Sequence, residues 1–207
     1  MSILHRASFS LSAARLNQLP APHVPEICFV GRSNVGKSSA INALTQQRRL
    51  AYSSKTPGRT RLINLFGIPD PMQPDTPLAY LVDLPGYGYA AVDHDTRDEW
   101  AMVLGDYLRS RSALIGIVLL LDIRRGLTKL DQQLVNWIAP TGKPLLVLLT
   151  KADKFAFGKR KQAIMAINKQ LKAIGQLETI AFSSTQRLGL DEATHHIENW
   201  ISPTVVP

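Results

Sequence analysis

Short apolar runs alternate along the chain with longer segments in which apolar residues recur at helical spacing. Near-continuous apolar runs are typical of strands that are buried on both faces of a parallel sheet. The alternation therefore predicts an α/β fold, with a mostly parallel sheet between two layers of helices. The predicted strands are 26–30, 61–68, 78–83, 114–121, 145–150 and 178–182, and the predicted helices are 37–46, 95–111, 129–138, 159–174 and 191–201.

The segments outside this pattern are short. The proline-rich stretch 69–77 predicts an exposed connection between two strands. Near the N-terminus, Leu11, Ala14 and Leu19 could share one face of a short docking helix. The alternative is a mitochondrial transit peptide, because no acidic residue precedes Glu26. The docking helix is favoured because it leads directly into the folded region. At the other end of the chain, the tail 202–207 is expected to be loose.

Composition narrows the class of protein. The 207 residues show no internal repeat and no linker, which predicts one domain over residues 1–207. The single cysteine, Cys28, excludes a disulfide within the chain and favours a reducing compartment. No secretory signal is expected, and the apolar run 114–121 is too short to span a bilayer.

A formal net charge of +8 favours a polyanionic partner, most simply nucleic acid. The alternative is a solvated basic surface without a partner. Basic residues cluster at Lys55, Arg59 and Arg61, at Arg109 and Arg111, at Arg124 and Arg125, and along 154–161.

The stretch GRSNVGKS, Gly31 to Ser38, matches G-x-x-x-x-G-K-[ST] between a predicted strand and a predicted helix. Its glycines let the backbone wrap around phosphate oxygens, and the start of the helix adds positive character. Lys37 is expected to reach the β- and γ-phosphates, and the Ser38 hydroxyl to bind Mg²⁺. This stretch is called the phosphate loop below.

The stretch DLPGYG, residues 83–88, follows the next predicted strand. Asp83 is placed to hold Mg²⁺ through a water, and the Gly86 N–H to meet the γ-phosphate. Many GTPases carry a water-orienting glutamine directly after this glycine, but here that position holds Tyr87. The sequence thus predicts nucleotide binding and leaves open how hydrolysis is catalysed.

Two further motifs end predicted strands. In TKAD, 150–153, Asp153 can accept two hydrogen bonds from guanine, whereas adenine would leave it unpaired or opposed. In FSST, 182–185, backbone N–H groups could meet guanine O6. Between the first two motifs, Thr56 and Thr60 both qualify as a switch threonine that binds Mg²⁺, and spacing does not choose between them.

Five motifs in this order resemble the translation-factor-related P-loop GTPases, and in detail the EngB (YsxC/YihA) GTPases of bacteria. That family is implicated in assembly of the large ribosomal subunit and linked to cell division. The resemblance covers about residues 8–201 and rests on GRSNVGKSS, KTPGRTRLINLF, DLPGYGYA, TKADK and FSS. It implies a three-layer fold around a six-stranded sheet with one antiparallel strand, an N-terminal helix, and Thr60 as the switch threonine.

The resemblance also implies the site and the partners. TKAD in place of the commoner Asn-Lys-x-Asp also suits this family, but Thr150 replaces an asparagine that would brace the phosphate loop, so some rigidity could be lost there. Asn34 resembles the residue with which related GTPases bind K⁺, which could act in hydrolysis together with Lys37, Thr60 and Gly86. The residues expected to bind the nucleotide are Gly31, Arg32, Ser33, Asn34, Val35, Gly36, Lys37, Ser38, Ser39, Gly58, Arg59, Thr60, Arg61, Leu62, Asp83, Leu84, Pro85, Gly86, Thr150, Lys151, Ala152, Asp153, Phe182, Ser183 and Ser184, with Ser38, Thr60 and Asp83 as metal ligands.

The expected protein is a monomeric cytoplasmic GTPase that uses GTP, GDP and Mg²⁺ and acts on the large ribosomal subunit and its rRNA. DNA binding and membrane insertion are not expected. The alternative is a GTP-gated ribosome-binding module in which hydrolysis is incidental. A tRNA-modification or membrane-linked GTPase would be expected to need an additional domain.

Overall fold

The computed structural model describes residues 2–52, 62–73, 75–88, 94–172 and 174–201, and for 94–101 it describes the backbone alone. The strands are β1 Ser8–Ala13, β2 Glu26–Gly31, β3 Ile63–Pro69, β4 Pro77–Asp83, β5 Leu114–Asp122, β6 Leu145–Thr150 and β7 Leu177–Ala181. The helices are α1 Lys37–Leu44, α2 His94–Ser110, α3 Lys129–Ile138, α4 Phe157–Gln170 and α5 Leu190–Ile201.

The strands form one seven-stranded sheet in the order β1-β3-β4-β2-β5-β6-β7. β3 pairs antiparallel with both of its neighbours, and the remaining pairs are parallel. The predicted mostly parallel α/β fold with one antiparallel strand is thus confirmed. The predicted connection 69–77 is also confirmed, because Pro69 pairs with Pro77 where β3 turns into β4.

The seventh strand corrects the prediction for the N-terminus. Residues 8–13 form β1 at the edge of the sheet instead of a docking helix. The sequence there, SFSLSA, alternates strictly between polar and apolar residues, which is the period of a strand. Phe9 packs edge-on against Phe66 of β3, and Ala13 is buried. The pairing with β3 decides the conformation here, since the spacing of Leu11 and Ala14 also suited a helix.

Helices cover both faces of the sheet. Helices α2, α3 and α4 contribute to one apolar core, and α1 and α5 contribute to the other. Neighbouring residues of one strand point to opposite cores, as Cys28 and Phe29 of β2 do. This double burial explains why the central strands are apolar throughout, and it leaves the polar strand ends as the place for chemistry.

Candidate functional site

The phosphate loop connects the end of β2 to the start of α1. Gly36 has φ of 107° at the N-cap of α1, a conformation that side chains disfavour. Asn34 also adopts a left-handed conformation, with φ of 61°. Ser38 is buried in the first turn of α1, whereas Ser39 is exposed. The loop therefore has the tight turn and the helix N-terminus that phosphate binding needs.

Lys37 and Asp83 form a largely buried ion pair, with 2.6 Å between Lys37 Nζ and Asp83 Oδ1. Apart from this ion pair, the buried Asp83 Oδ1 accepts no hydrogen bond from the described residues. A buried carboxylate, together with the buried Ser38 that follows its lysine partner in sequence, suits Mg²⁺, which binds oxygen ligands and retains water molecules. The residues present therefore fit a magnesium ion held by Ser38 and Asp83.

DLPGYG is attached to the phosphate loop through its backbone. The Ser33 N–H donates to the Tyr87 carbonyl at 2.9 Å, and the Tyr87 N–H donates to the Gly31 carbonyl at 3.3 Å. A Cβ on Gly86 would lie 3.0 Å from Ser33 Cα, so this close approach favours glycine. Leu84 is buried beneath the segment, and Pro85 is half-buried. The two phosphate motifs are thus adjacent.

The Tyr87 side chain leads away from the phosphate loop to α3. Its hydroxyl donates to Asp131 Oδ1 at 2.6 Å, and Asp131 Oδ2 accepts from the Thr128 N–H at 2.7 Å in the cap of α3. Burial, and then the neighbouring Asp131 carboxylate, raise the pKa of Tyr87 well above its ordinary value. The hydroxyl thus stays protonated and anchors DLPGYG to the helix. The sequence prediction missed Asp131, although Thr128-x-x-Asp131 has the pattern of a helix cap.

Thr150 braces the phosphate loop despite replacing the expected asparagine. Its hydroxyl lies 2.7 Å from the Val35 carbonyl, and 3.1 Å from the Leu121 carbonyl. Both contacts are buried. Thr150 thus supplies a contact to the phosphate loop in place of the asparagine, because its short side chain reaches the loop from the end of β6.

Lys151 connects TKAD, the motif expected to bind the guanine base, to the phosphate loop. Its ammonium donates to the Asn34 carbonyl at 3.1 Å and to Asp122 Oδ2 at 2.9 Å. Arg124, and then Lys151, hold the pKa of Asp122 well below its usual range. Sequence reasoning missed Asp122, although an acid at the end of an apolar strand signals a site at that edge. These two contacts hold the Lys151 side chain beside the phosphate loop.

Asp153 is held by Ser183 of FSST, the motif that follows β7. The Ser183 hydroxyl donates to Asp153 Oδ1 at 2.7 Å, and this bond, followed by Lys154, lowers the pKa of Asp153. The Ser183 N–H donates to the Leu188 carbonyl, so Ser183 acts here through its side chain instead of offering its N–H to guanine. The Ala152 N–H donates to the Phe182 carbonyl at 3.0 Å, which joins TKAD to FSST. An ionised Asp153 suits the two donors of guanine.

Several predicted residues have other outcomes. Gly58, Arg59, Thr60 and Arg61 lie outside the described residues, as do Lys55 and Thr56. Leu62, at the edge of that segment, is 40% exposed. Arg111 does not belong to a free basic surface, because its guanidinium forms hydrogen bonds and an ion pair with the buried carboxylate of Glu26, the first residue of β2. Among the described residues, no helix combines the length and apolar character needed to cross a membrane.

A phosphate loop, a magnesium-compatible aspartate and a guanine-compatible aspartate at one edge of this sheet define a P-loop GTPase. Residues 26–151 match the family described as 50S ribosome-binding GTPase. The chain is 65% identical to the probable GTP-binding protein EngB of Bordetella pertussis over the full length of both proteins. It is 48% identical to that of Polynucleobacter asymbioticus, covering 97% of this chain and 95% of the relative. The chain belongs to the EngB family of GTP-binding proteins.

Solved structures agree with the fold. A crystal structure of a probable GTP-binding protein EngB superposes with a TM-score of 0.62 at 18% identity, covering 86% of this chain and 99% of that one. The structure of Era with MgGDPNP and nucleotides 1506–1542 of 16S ribosomal RNA gives a TM-score of 0.64 at 24% identity, covering 86% of this chain and 56% of that one. At these identities the likeness concerns the fold.

Proposed function

We propose that this protein binds GTP with Mg²⁺, hydrolyses it to GDP and phosphate, and acts as a switch in assembly of the large (50S) ribosomal subunit. On this proposal it is needed for normal cell division and septation. The observation that carries the GTP site is the 3.1 Å hydrogen bond from Lys151 to the Asn34 carbonyl. It joins the base motif to the phosphate loop, so one nucleotide can engage both.

Mg²⁺ would be held by Ser38 and Asp83, with Thr60 as the third protein ligand by family resemblance. The ion would neutralise charge on the phosphates. Lys37 is paired with Asp83 at 2.6 Å and must turn towards the β- and γ-phosphates when nucleotide binds. Gly86 lies close to the backbone of Ser33, and its N–H would position the γ-phosphate.

Hydrolysis in this proposal does not use Tyr87, because its hydroxyl is engaged by Asp131. Asn34 is exposed beside the phosphate loop and is proposed to help bind K⁺, whose charge would stabilise the transition state. The test is single-turnover hydrolysis in K⁺ and in Na⁺. A faster rate in K⁺, reduced in Asn34→Ala, supports this step, whereas equal rates in both salts and an unaffected variant would refute it.

Three observations support a ribosomal partner. The matching family is described as 50S ribosome-binding, the related fold of Era is seen with 16S rRNA, and the net charge is +8. A basic protein that contacts rRNA phosphates should bind more weakly as salt rises. Of the predicted basic residues, Arg125, Lys159 and Lys161 are exposed and available for such contacts.

The second candidate is a GTP-gated ribosome-binding module in which turnover is incidental. The observation that favours it is again the anchored Tyr87, since no glutamine follows Gly86 to orient a water. Single-turnover hydrolysis with and without purified 50S subunits separates the candidates. Strong acceleration by the subunit supports a partner-activated GTPase, and an unchanged slow rate supports the module.

A further inference from the structure

A cavity of about 370 Å³ lies between the phosphate loop and the first turn of α3. Its walls are formed by residues 32–35 of the loop, by residues 120–122 at the end of β5 and 124–126 after it, and by Thr128, Asp131, Gly88 and Lys151. Ligand sites in proteins commonly measure about 300 to 1,000 Å³. The cavity is thus large enough for a small ligand. It is called the α3 cavity below.

The acidic groups of the α3 cavity already have donors. Asp122 accepts from the Arg124 side chain through both carboxylate oxygens and from Lys151. Asp131 accepts from Tyr87 through one oxygen and from Thr128 through the other. Both carboxylates are therefore hydrogen-bonded inside the wall, and the formal charges of Asp122, Asp131, Arg124 and Lys151 sum to zero.

Two cationic side chains of the wall remain. Arg32 Nε is buried, and it forms no hydrogen bond with the described residues. A buried N–H of a guanidinium without an acceptor is costly, so it marks a place where a ligand oxygen would be stabilising. Arg125 is exposed at the rim, and within the described part of the chain it forms no ion pair. The charge left for a ligand is positive.

We propose that the α3 cavity is a second phosphate-binding site, which accepts the phosphate and sugar of one nucleotide unit. Arginine suits a phosphate because its planar guanidinium can donate two parallel hydrogen bonds to the oxygens. The apolar side chains of Val35, Leu120 and Leu121 in the wall are suited to the non-ionic part of the unit. The unit can come from an RNA strand or from a free nucleotide. The RNA source rests on the ribosomal partner proposed above, and the cavity itself does not.

This site would be coupled to the GTP site by shared residues. Arg32 belongs to the phosphate loop, and the backbone of Arg32 bridges to Tyr87 of DLPGYG. A Cβ on Gly88 would lie 3.3 Å from Arg32 Nε, so the guanidinium also packs on DLPGYG. A phosphate that engages Arg32 therefore contacts both elements that surround the γ-phosphate.

The test uses the full chain saturated with GDP and Mg²⁺, so that the GTP site is filled. Uridine 5′-monophosphate and a single-stranded uridine decamer are titrated separately. The readouts are the NMR resonances of the Arg32 Nε–H and the Gly88 and Gly126 amides. Arg125→Glu is compared with Lys161→Glu, an equal charge change at an exposed residue of α4.

The proposal predicts saturable shifts at all three groups with at least one probe, and binding about tenfold weaker in Arg125→Glu than in Lys161→Glu. Shifts with the monophosphate alone identify a free nucleotide as the source and count against the RNA partner. Shifts with the decamer alone identify RNA. The proposal is overturned if neither probe shifts Arg32 Nε–H, or if both variants weaken decamer binding equally. In that last case RNA binding elsewhere on the surface still stands.

Discussion

Tyr87 and Asp131 are joined by a 2.6 Å hydrogen bond that spans from DLPGYG to the first turn of α3. The residue after Gly86 therefore anchors DLPGYG to α3, at the position where many GTPases have a catalytic glutamine. In Tyr87→Phe, Asp131 loses one donor, and we expect the free energy of unfolding to fall by about 1.5 to 3 kcal/mol. Equilibrium denaturation in urea measures this change.

The same variant separates anchoring from catalysis. If the hydroxyl only anchors, the single-turnover rate of Tyr87→Phe at saturating GTP should stay within about threefold of wild type. Tyr52→Phe is the matched control, because Tyr52 is 71% exposed and its substitution should change stability by less than about 0.5 kcal/mol. A rate loss of about a hundredfold without a loss of stability would show that Tyr87 acts in the chemistry.

The raised pKa of Tyr87 predicts a dependence of stability on alkaline pH. The unfolded chain loses the Tyr87 proton near pH 10, whereas the folded protein keeps it. The unfolded state therefore binds fewer protons above pH 10, and the stability due to this group, fully present below that pH, falls as pH rises. Urea midpoints between pH 8 and 10.5 should fall more for wild type than for Tyr87→Phe. Parallel declines would contradict the assignment.

Thr150 should stabilise the phosphate loop through its hydroxyl. Thr150→Val keeps the shape of the side chain but removes the donor from the Val35 carbonyl, which is buried. We expect a loss of about 1 to 3 kcal/mol in unfolding free energy and weaker GDP binding. Thr150→Ser keeps the hydroxyl and should retain most of both. Equal losses in the two variants would assign the effect to packing of the methyl group.

Asp153 should determine the choice of base. Asp153→Asn replaces one acceptor oxygen by a donor, which opposes the guanine donors, and GTP affinity should fall about ten- to a hundredfold. Ser183→Ala leaves the carboxylate but removes the 2.7 Å bond that orients it, so a smaller loss is expected. Fluorescent GDP competition measures both affinities. Unchanged GTP affinity in Asp153→Asn would place the base elsewhere.

Local patterns predicted most parts of the site that lie where a strand ends, although Asp122 at the end of β5 was missed. Lys37 lies beyond the end of β2 and Asp83 is the last residue of β4, and parallel neighbouring strands bring such ends together. Hydrogen bonds between side chains of distant segments could not be predicted from local patterns. The Tyr87–Asp131 bond joins positions far apart in sequence, and only the packing of α3 against the sheet brings them into contact.

For the edge strand β1, a local pattern was present but fitted two conformations. Its strict alternation in SFSLSA was a local signal, but the spacing of Leu11 and Ala14 suited a helix equally well. The free edge of β3 decides between them, since pairing satisfies the backbone of both strands. Ser183 is similar, because its role depends on the turn that bonds its N–H to Leu188 and leaves the hydroxyl for Asp153.

The central claim is that nucleotide state controls binding to the large ribosomal subunit. It is tested most directly by co-sedimentation with purified 50S subunits in Mg²⁺, with a non-hydrolysable GTP analogue or with GDP. The account predicts that wild type pellets with the subunit far more in the analogue than in GDP, and that folded Lys37→Ala does so in neither. Equal pelleting of wild type in both nucleotides, matched by Lys37→Ala, would contradict it.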